Sequence, residues 1–472
     1  MNIYKKLSQD TIIFAISNFS SKLLIFLLLP LYTNCLSTRE YGIIDLINNL
    51  ISVLFPILSL SLIESILRFS FDKDVEKNDV LNIALFSIVL SITILLLFSP
   101  IILKINPSLR TYWISFLFLY LGYSLTTTLS YYLRGTDEVK YVAFQGILQT
   151  VIIAISNMIV LLIFKWGING YIFSLIFSYF GTCFITFIKA KVYRNFKTFR
   201  LNTNLLSSML HYSIPLIPSK IAWWINNSID KYFIIGLIGV GASGLYSVAH
   251  KIPSILTVLT EIFNQAWQLS AIEVYENGED KSEFYSKVHK YYITFAIICS
   301  SFIILFSKLL GKIFFSGDFF IAWKFVPSLV IAAVFSSISG YYHSIFRAAK
   351  MTKILAITVF AGAISNFILN TIMIPICGTI GAAYATMVSF FIEWLVAYYF
   401  ANKTISLDID KTKIVISFSI VLIETIVMKF DSSIKYIGAS ICILLLIIIN
   451  YKNIKDILGK FFVVIRRKIV KN

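Results

Sequence analysis

Apolar segments of about 20 residues recur along the whole chain, separated by short polar connections. A helix needs roughly 20 apolar residues to cross a hydrocarbon layer about 30 Å thick, and lipid-embedded backbone must satisfy its hydrogen bonds internally. Only 14% of the residues are charged, against about a quarter in soluble domains. The sequence therefore predicts an all-α, polytopic membrane protein. The fourteen predicted spans lie at roughly 12–33, 43–66, 81–103, 112–133, 142–164, 168–188, 207–238, 243–270, 289–310, 325–346, 355–375, 380–400, 412–428 and 434–451.

The distribution of lysine and arginine predicts the topology of these spans. The thirteenth span is the shortest and contains Glu424, so the cautious count is twelve spans plus two weaker ones. With both termini in the cytoplasm, 28 of the 41 basic residues fall in cytoplasmic segments and 9 in external ones, as the positive-inside rule requires. Lys5, residues 189–204 and the C-terminal tail are accordingly predicted to be cytoplasmic.

The net charge of +17 reflects this topology. The basic residues are scattered over short loops and form no known nucleic-acid-binding motif, which argues against a nucleic-acid partner. From Lys452 to Lys471, seven basic residues and a set of apolar ones occupy opposite sides of a predicted helix. This pattern is typical of a surface helix that binds anionic membrane lipids.

Short sequence echoes divide the chain into two similar parts. They keep the same order and nearly the same spacing, which indicates two copies of a six-helix unit. Because six is even, both copies enter the membrane from the same side and form parallel repeats. The echoes pair residues 41–45 with 243–247, 134–140 with 347–353, 156–157 with 365–366, and 167–170 with 378–381. The predicted parts are an N-terminal bundle at 1–200, a second bundle at 201–403, two additional spans at 404–451, and the tail at 452–472.

Lysines inside apolar spans are the most informative polar residues. A lysine at the centre of a transmembrane helix costs roughly 2.5–3.5 kcal/mol on insertion scales, so it faces a wet cavity or an anionic partner rather than lipid. Hydrogen bonding between packed helices is the better interpretation for the Ser, Asn and Gln residues of these spans, but an ammonium group has only donors and needs an anion or water. The intramembrane lysines are Lys22, Lys220, Lys231 and Lys251.

The seventh and eighth predicted spans concentrate the polar residues. Lys220, Trp224, Asn227 and Lys231 follow one another at steps of four, three and four, on one face of a helix. Asp230 is a candidate partner of Lys231 or Lys251. Asp230 and Glu261 are also candidates for ion coupling, although Glu261 fits equally well as a structural partner of a lysine. The same two spans contain Pro215, Pro218 and Pro253, each of which removes a backbone donor and bends the helix.

The connections between spans leave no room for a catalytic domain. None exceeds roughly 20 residues, and the phosphate-binding pattern GxxxxGK is absent from the sequence. Asp408 and Asp410 form an isolated DxD that is better interpreted as a solvated turn than as a metal site. The five cysteines have no CxxC spacing and are interpreted as small apolar side chains. The sequence therefore predicts no catalytic residues, no metal site, no cofactor and no enzyme activity.

Three segments carry a family resemblance that extends over essentially the whole chain. HYSIPLIPSKIAWWINNSIDKYFI at His211–Ile234, GLYSVAHKIP at Gly244–Pro253 and REYGIIDL at Arg39–Leu46 resemble the polysaccharide flippases of the Wzx type. These belong to the superfamily of multidrug, oligosaccharidyl-lipid and polysaccharide exporters. The resemblance implies a V-shaped pair of helix bundles around a central cavity. It also implies a substrate, an undecaprenyl-pyrophosphate-linked oligosaccharide repeat unit, which moves from the cytoplasmic to the outer leaflet of the bacterial plasma membrane.

Within that resemblance, the intramembrane lysines take the place of cationic cavity residues. A cationic wet groove lowers the desolvation cost of a pyrophosphate, and Trp223 and Trp224 offer flat surfaces for sugar rings, with Asn227 beside them. An inside-negative membrane potential favours outward movement of negative charge by about 2.3 kcal/mol per charge per 100 mV. The sequence also allows coupling to a proton or sodium counter-ion. A polysaccharide polymerase and assembly proteins are expected partners in O-antigen or capsule synthesis.

Two alternatives belong to other functional classes. A cation-coupled multidrug extruder of the same superfamily has cationic substrates, which a cavity with lysines would repel. A membrane-embedded polysaccharide polymerase or glycosyltransferase normally has a large external loop or a soluble domain. Both are weaker interpretations than a flippase, and the residues do not identify the glycan.

Overall fold

The computed structural model describes residue 24 and residues 26–70, 75–195, 199–277, 281–430 and 434–469. Every regular element within these residues is helical, which confirms the predicted all-α class. Nine of the described helices are long and apolar enough to cross a membrane, so the number of fourteen spans stays a prediction. Lys22 and most of the first predicted span lie outside the described residues.

The chain forms two compact units, and the first ends at Ser228. Short 3₁₀ segments at Pro107–Tyr112, Val192–Asn195 and Ile214–Leu216 connect some of its helices, and a π-helical turn at Met158–Ile163 follows α7. Its helices are α1 (Leu29–Cys35), α2 (Thr38–Leu58), α3 (Leu62–Phe69), α4 (Lys77–Leu97), α5 (Ser99–Ile105), α6 (Trp113–Gly135), α7 (Val139–Asn157), α8 (Gly167–Lys189), α9 (Thr203–Ser213) and the first half of α10 (Ile217–Leu237).

The second unit begins at Ile229, within α10. Helix α15 forms its core, since 89% of an apolar 18-residue stretch of this helix is buried. A 3₁₀ segment at Gly317–Lys324 precedes α15. The further helices are α11 (Val240–Ala249), α12 (Pro253–Asn277), α13 (Lys281–Leu305), α14 (Ser307–Phe314), α15 (Val326–Ala348), α16 (Thr352–Cys377), α17 (Thr379–Thr404), α18 (Lys411–Val427) and α19 (Ile434–Ile469).

A capping box explains where α2 begins. The Ser37 hydroxyl accepts a hydrogen bond from the backbone N–H of Glu40, and the Glu40 carboxylate accepts one from the backbone N–H of Ser37 at 2.8 Å. This exchange satisfies two donors that have no partner inside the helix. The REYGIIDL segment therefore starts a helix for a local reason.

The prolines break the two polar spans, as predicted. The seventh predicted span divides into α9, a 3₁₀ turn that contains Pro215, and α10, whose second residue is Pro218. The eighth divides into α11 and α12, and α12 begins at Pro253. Proline is tolerated in the first turn of a helix, where its missing N–H costs no hydrogen bond. Lys251 consequently lies at a break between helices rather than within one.

The repeat seen in the sequence extends to backbone conformation. Helices α6 and α15 both contain 23 residues, and their first and last residues are 213 positions apart. The turn after each helix is closed by equivalent hydrogen bonds, in which the N–H of Glu138 bonds to the carbonyl of Leu133 and that of Met351 to Phe346. Asp137 and Lys350 in these turns both have positive φ, 67° and 57°. Superposition of the complete six-helix units stays a prediction.

The tail is helical, as predicted, but it does not form a separate element. Helix α19 continues for 36 residues, from the last span through to Ile469. The side chains of Ile457 and Leu458, and all those from Lys460 onward, lie outside the described residues, so the amphipathic contact with lipid stays a prediction.

Candidate functional site

In the first unit, Lys220 forms an ion pair that the sequence did not suggest. Its ammonium group lies 2.5 Å from Oε1 of Glu64 in α3, and the Tyr131 hydroxyl donates to the same oxygen at 3.4 Å. The Lys220 side chain is 40% exposed and the Glu64 side chain 20%. A pair with this much exposure contributes at most about 1 kcal/mol. Lys220 therefore does have an anionic partner, and another anion can reach the same ammonium group.

The next turns of α10 contact α2. The Trp224 indole N–H donates to the backbone carbonyl of Asn49 at 3.2 Å, and the Ser228 hydroxyl donates to the Asn49 side chain at 2.9 Å. Asn49 in turn donates to the Asp45 carboxylate at 2.9 Å. The predicted polar face of α10 thus packs against a second polar face on α2. These contacts fix the indole ring of Trp224 in position.

A polar cavity of about 300 Å³ lies next to this ion pair, between α6, α7 and α8. Tyr131 belongs both to the cavity wall and to the Glu64 contact. Aromatic rings, hydroxyls and amides dominate the lining, a composition suited to sugar rings and hydroxyl groups. The lining residues that carry polar or aromatic groups are Tyr123, Thr126, Thr127, Ser130, Tyr131, Arg134, Gln145, Gln149 and Tyr179.

In the second unit, Asp230 is the centre of a buried hydrogen-bonded cluster. Its carboxylate accepts hydrogen bonds from the Tyr246 hydroxyl at 2.8 Å, the Thr386 hydroxyl at 2.6 Å and the Asn370 amide at 2.6 Å. All four side chains are at most 9% exposed. A buried carboxylate is costly unless such donors compensate for lost water. The cluster therefore surrounds a buried carboxyl group with neutral hydrogen-bond donors.

The amide side of this cluster extends further along α16. Asn370 also donates to the Asn366 side chain at 2.9 Å, and Asn366 contacts Ser389 of α17 at 3.3 Å. The Asn370 amide oxygen has no hydrogen-bond partner among the described residues. An unused buried acceptor beside a carboxylate and a hydroxyl is a set of hard oxygen atoms that suits a proton or a small cation.

The other predicted site residues occupy separate positions. Lys231 and Lys251 are half-buried, whereas Asn227 and Glu261 are exposed. The side chain of Trp223, like the whole of Lys22, lies outside the described residues. The role of these residues in a site stays a prediction. Burial nevertheless distinguishes the two acidic candidates, because Asp230 is enclosed and Glu261 is not.

Sequence reasoning missed Glu64, Tyr131, Asn370 and Thr386. A signal was present for Glu64, since an acidic residue inside an apolar span is rare and needs a partner. The same applies to Glu393 and His343, whose Oε1 and Nε2 lie 3.7 Å apart in the second unit. The asparagine and threonine residues carried a weaker signal, because such residues also connect helices without any functional role.

Lys435, at the start of the last predicted span, is buried. Its side chain is only 3% exposed, and its ammonium group lies 5.5 Å from the ring centre of Trp323 and 5.7 Å from that of Tyr436. Cation–π contacts of this length stabilise a desolvated lysine. Trp323 lies more than 100 positions before Lys435 in the chain, so no local sequence pattern indicates this contact.

Among the described residues, no group of three or more His, Cys, Asp or Glu side chains is arranged to hold a metal ion. Asp410 of the DxD segment has a structural role, because its carboxylate accepts a hydrogen bond from the backbone N–H of Lys413 at 2.9 Å. This bond caps the N-terminus of α18.

Comparison with solved structures supports the fold. A lipid II flippase, MurJ, in an inward closed conformation has a TM-score of 0.66 and 16% identity, over 95% of this chain and all of that one. An inward-facing multidrug resistance transporter of the MATE family, from the MOP superfamily, has a TM-score of 0.65 and 16% identity, over 83% of this chain and 98% of that one. At this level of identity, the likeness concerns the fold alone.

Comparison of sequences identifies the family. An uncharacterized membrane protein of Methanocaldococcus jannaschii is 27% identical over 295 residues, which cover 59% of this chain and 57% of that protein. The chain thus spans a little over half the length of this relative. A family model described as polysaccharide biosynthesis protein matches residues 7–269, more than half of the 472 residues. The chain therefore belongs to the polysaccharide biosynthesis protein family, and it is a multi-pass membrane protein with a fold shared by a lipid II flippase and by MOP-superfamily transporters.

Proposed function

We propose that the protein is a flippase for an undecaprenyl-pyrophosphate-linked oligosaccharide. It transfers the repeat unit of a cell-surface polysaccharide, such as O-antigen or capsule, from the cytoplasmic to the outer leaflet of the plasma membrane. Family membership and fold support the transport of a lipid-linked glycan. The observation that carries the proposal is the half-buried Lys220–Glu64 pair next to a cavity lined by polar and aromatic side chains in the first unit.

The ion pair suggests how an anionic substrate is held. Glu64 neutralises Lys220 in the absence of substrate, and a pyrophosphate replaces the carboxylate when it arrives. The exchange is favourable because a pyrophosphate presents more charge and more acceptor oxygens than one carboxylate, while the pair itself contributes at most about 1 kcal/mol. Lys22, Lys231 and Lys251 are proposed as further cationic residues that act on the substrate during transport. The polyprenyl chain stays in lipid, where no desolvation is required.

The sugar part of the substrate is assigned to the cavity between α6, α7 and α8. The rings of Tyr123, Tyr131 and Tyr179 offer apolar faces for sugar rings, and Gln149 offers an amide group for hydroxyls. The amide nitrogen of Gln145 donates to the Thr126 carbonyl, which leaves its amide oxygen as an acceptor. Trp224 lies one turn after Lys220 on α10 and adds an indole ring that its bond to Asn49 fixes in position. This assignment places the pyrophosphate and the first sugars in the same unit.

The energy for transport comes from the membrane potential and from a counter-ion. Outward transfer of negative charge is favoured by about 2.3 kcal/mol per charge per 100 mV. We assign the counter-ion, a proton or sodium, to the buried Asp230 cluster. Its carboxylate, the unused Asn370 amide oxygen and the Thr386 hydroxyl are the groups that would bind it. Alternating access then exposes this cluster to each side in turn.

Transport by Lys220 variants tests the proposal. The Lys220→Gln variant, reconstituted in vesicles with a fluorescent pyrophosphate-linked glycolipid, should lose at least about 90% of wild-type flipping, because the amide cannot neutralise the anion. Lys220→Arg should restore much of it, since arginine keeps the charge and binds phosphate through two donors. Lys104→Gln is the matched control, because Lys104 is an exposed lysine of the same unit.

The Lys220→Gln, Lys231→Gln double variant decides between functions. Flipping at the wild-type rate by this variant, at equal protein abundance, would contradict the cationic mechanism. Transport of cationic drugs by the wild-type protein, with no glycolipid flipping, would instead identify a multidrug extruder. Glu64→Gln adds a further measurement, because removal of the competing carboxylate should strengthen binding of the pyrophosphate lipid by up to about fivefold.

A further inference from the structure

A second cleft, of about 370 Å³, lies in the second unit and includes the DxD segment but none of the residues of the Asp230 cluster. It is bounded by α13, α18, α19 and the connection that precedes α18. Two hydrogen bonds hold that connection in place, from the backbone N–H of Asp408 to the Ser286 hydroxyl at 2.8 Å and from the backbone N–H of Lys413 to Asp410. The cleft is therefore built by the additional spans that follow the second six-helix unit.

Three lysines from three different helices line this cleft. Lys290 is in α13, Lys413 in α18 and Lys452 in α19. The Lys413 ammonium interacts with the like charges of Lys290 and Lys452 and with the opposite charge of Asp410. Like charges that are held close together repel each other, and a bound anion relieves this repulsion. The convergence of three ammonium groups therefore indicates an anion-binding site.

The charge of the cleft indicates what kind of anion it accepts. The three lysines are accompanied by two carboxylates, Asp408 and Asp410, so the lining carries a single net positive charge. A phosphodiester carries a single negative charge and balances it. A pyrophosphate or a free phosphate carries more charge and leaves the bound site negative. The balance favours a phosphodiester.

Part of the cleft wall is polar and buried. Thr294 donates to the Asn450 side chain at 3.3 Å and accepts a hydrogen bond from Asn453 at 2.9 Å. Among the described residues, the amide oxygen of Asn453 has no hydrogen-bond partner although Asn453 is only 2% exposed. A buried acceptor without a donor calls for a ligand that supplies one. A headgroup with hydroxyl groups meets this requirement.

Apolar side chains continue from the charged end of the cleft. Ile293 and Ile297 follow Lys290 along α13, and Ile414 follows Lys413 along α18. The predicted topology puts Lys290, Lys413 and Lys452 on the cytoplasmic side of the membrane. The order of groups from this side, first charged and then apolar, corresponds to the order of headgroup and acyl chains in the inner leaflet.

From these observations we propose that the cleft between α13, α18 and α19 binds an anionic phospholipid of the cytoplasmic leaflet through its phosphodiester headgroup. The site is separate from the glycan path and does not depend on the proposed function. It gives the two additional spans a role, since they complete a lipid site that anchors the second unit in an anionic leaflet. Phosphatidylglycerol has the required single charge and hydroxyl groups.

Native mass spectrometry of the detergent-purified protein with added phosphatidylglycerol tests this site. Wild-type protein should retain phosphatidylglycerol in preference to phosphatidylethanolamine. The triple variant Lys290→Gln, Lys413→Gln, Lys452→Gln should bind it at least about tenfold more weakly, as expected for the loss of three charges near a phosphate. The matched control is Lys287→Gln, Lys411→Gln, Lys455→Gln, which removes one lysine from each of the same helices outside the cleft lining.

The outcomes separate the sources of phosphate. Equal weakening in the triple variant and the control would overturn the proposal, because it would assign binding to the general basic surface. Displacement of phosphatidylglycerol from the wild type by millimolar inorganic phosphate would also overturn it, in favour of a soluble anion. The competition and the comparison of headgroups use wild-type protein, so they decide the matter even if the triple variant does not fold. Retention that resists phosphate and is lost only in the cleft variant supports the site.

Discussion

Lys220 and Glu64 lie 2.5 Å apart although 156 positions separate them in the chain. An intramembrane lysine requires water or an anionic partner, and the position of Lys220 in the sequence established that need without identifying the partner. The same holds for Asp230, whose donors Tyr246, Asn370 and Thr386 lie 16, 140 and 156 positions away. The sequence around a buried charged residue therefore shows that it needs a partner, but it does not show which distant residue supplies it.

Asp230→Asn is expected to uncouple transport from its counter-ion. The substitution keeps the shape of the side chain and removes the negative charge that the cluster holds for a cation. Glycolipid flipping in vesicles should lose its response to an imposed sodium or proton gradient. Glu261→Gln is the matched control and should retain the response, because Glu261 is exposed. A retained response in Asp230→Asn, with a lost response in Glu261→Gln, would place the coupling at Glu261.

Helices α8 and α17 begin with similar turns that place a glycine at positive φ. Gly167 and Gly378 have positive φ, 55° and 67°, a region that residues with a Cβ rarely adopt. In the first turn that follows, a Cβ at Gly170 would overlap the Val160 side chain, and one at Gly381 would overlap the backbone carbonyl of Met373. The two repeats thus connect their last helices in the same way.

Gly381→Ala is expected to destabilise the second unit. The added methyl group meets a backbone carbonyl that cannot rotate away, and overpacking of this kind costs about 1–3 kcal/mol. The midpoint of thermal unfolding in detergent should fall by several degrees. Gly236→Ala is the matched control, because a Cβ there meets nothing within 4 Å. Alanine in a helix is favoured over glycine by roughly 0.5–1 kcal/mol, so this variant should be as stable as the wild type or more so.

The two halves of the chain share helix lengths, turn conformations and connections at nearly constant offsets. Parallel and inverted repeats both produce such similarity, but they differ in which side of the membrane equivalent turns occupy. Six spans per copy predict that the turn after α6 and the turn after α15 are both cytoplasmic. The side of the membrane on which each of these two turns lies therefore distinguishes parallel from inverted repeats.

Cysteine labelling of these turns tests the parallel arrangement. Glu138 and Met351 are exposed and equivalent, 213 positions apart, so Glu138→Cys and Met351→Cys in a background without the five native cysteines should react only after the membrane is permeabilised. Native Cys377, which is exposed and lies at the opposite end of α16, should react from outside when it alone is retained. Reaction of the two engineered cysteines from opposite sides would establish inverted repeats instead.

The sequence by itself determined the helical membrane class, the breaks at Pro215, Pro218 and Pro253, and the equivalent turns of the two copies. These features depend on hydrophobic length, on the missing N–H of proline and on backbone conformation, which act over a few neighbouring residues. Only the tertiary structure decided which side chains meet. It paired Lys220 with Glu64, enclosed Asp230 between two distant helices and buried Lys435 against Trp323. Such contacts arise from packing between segments far apart in the chain, where many polar residues could satisfy the same requirement and only the three-dimensional arrangement selects one.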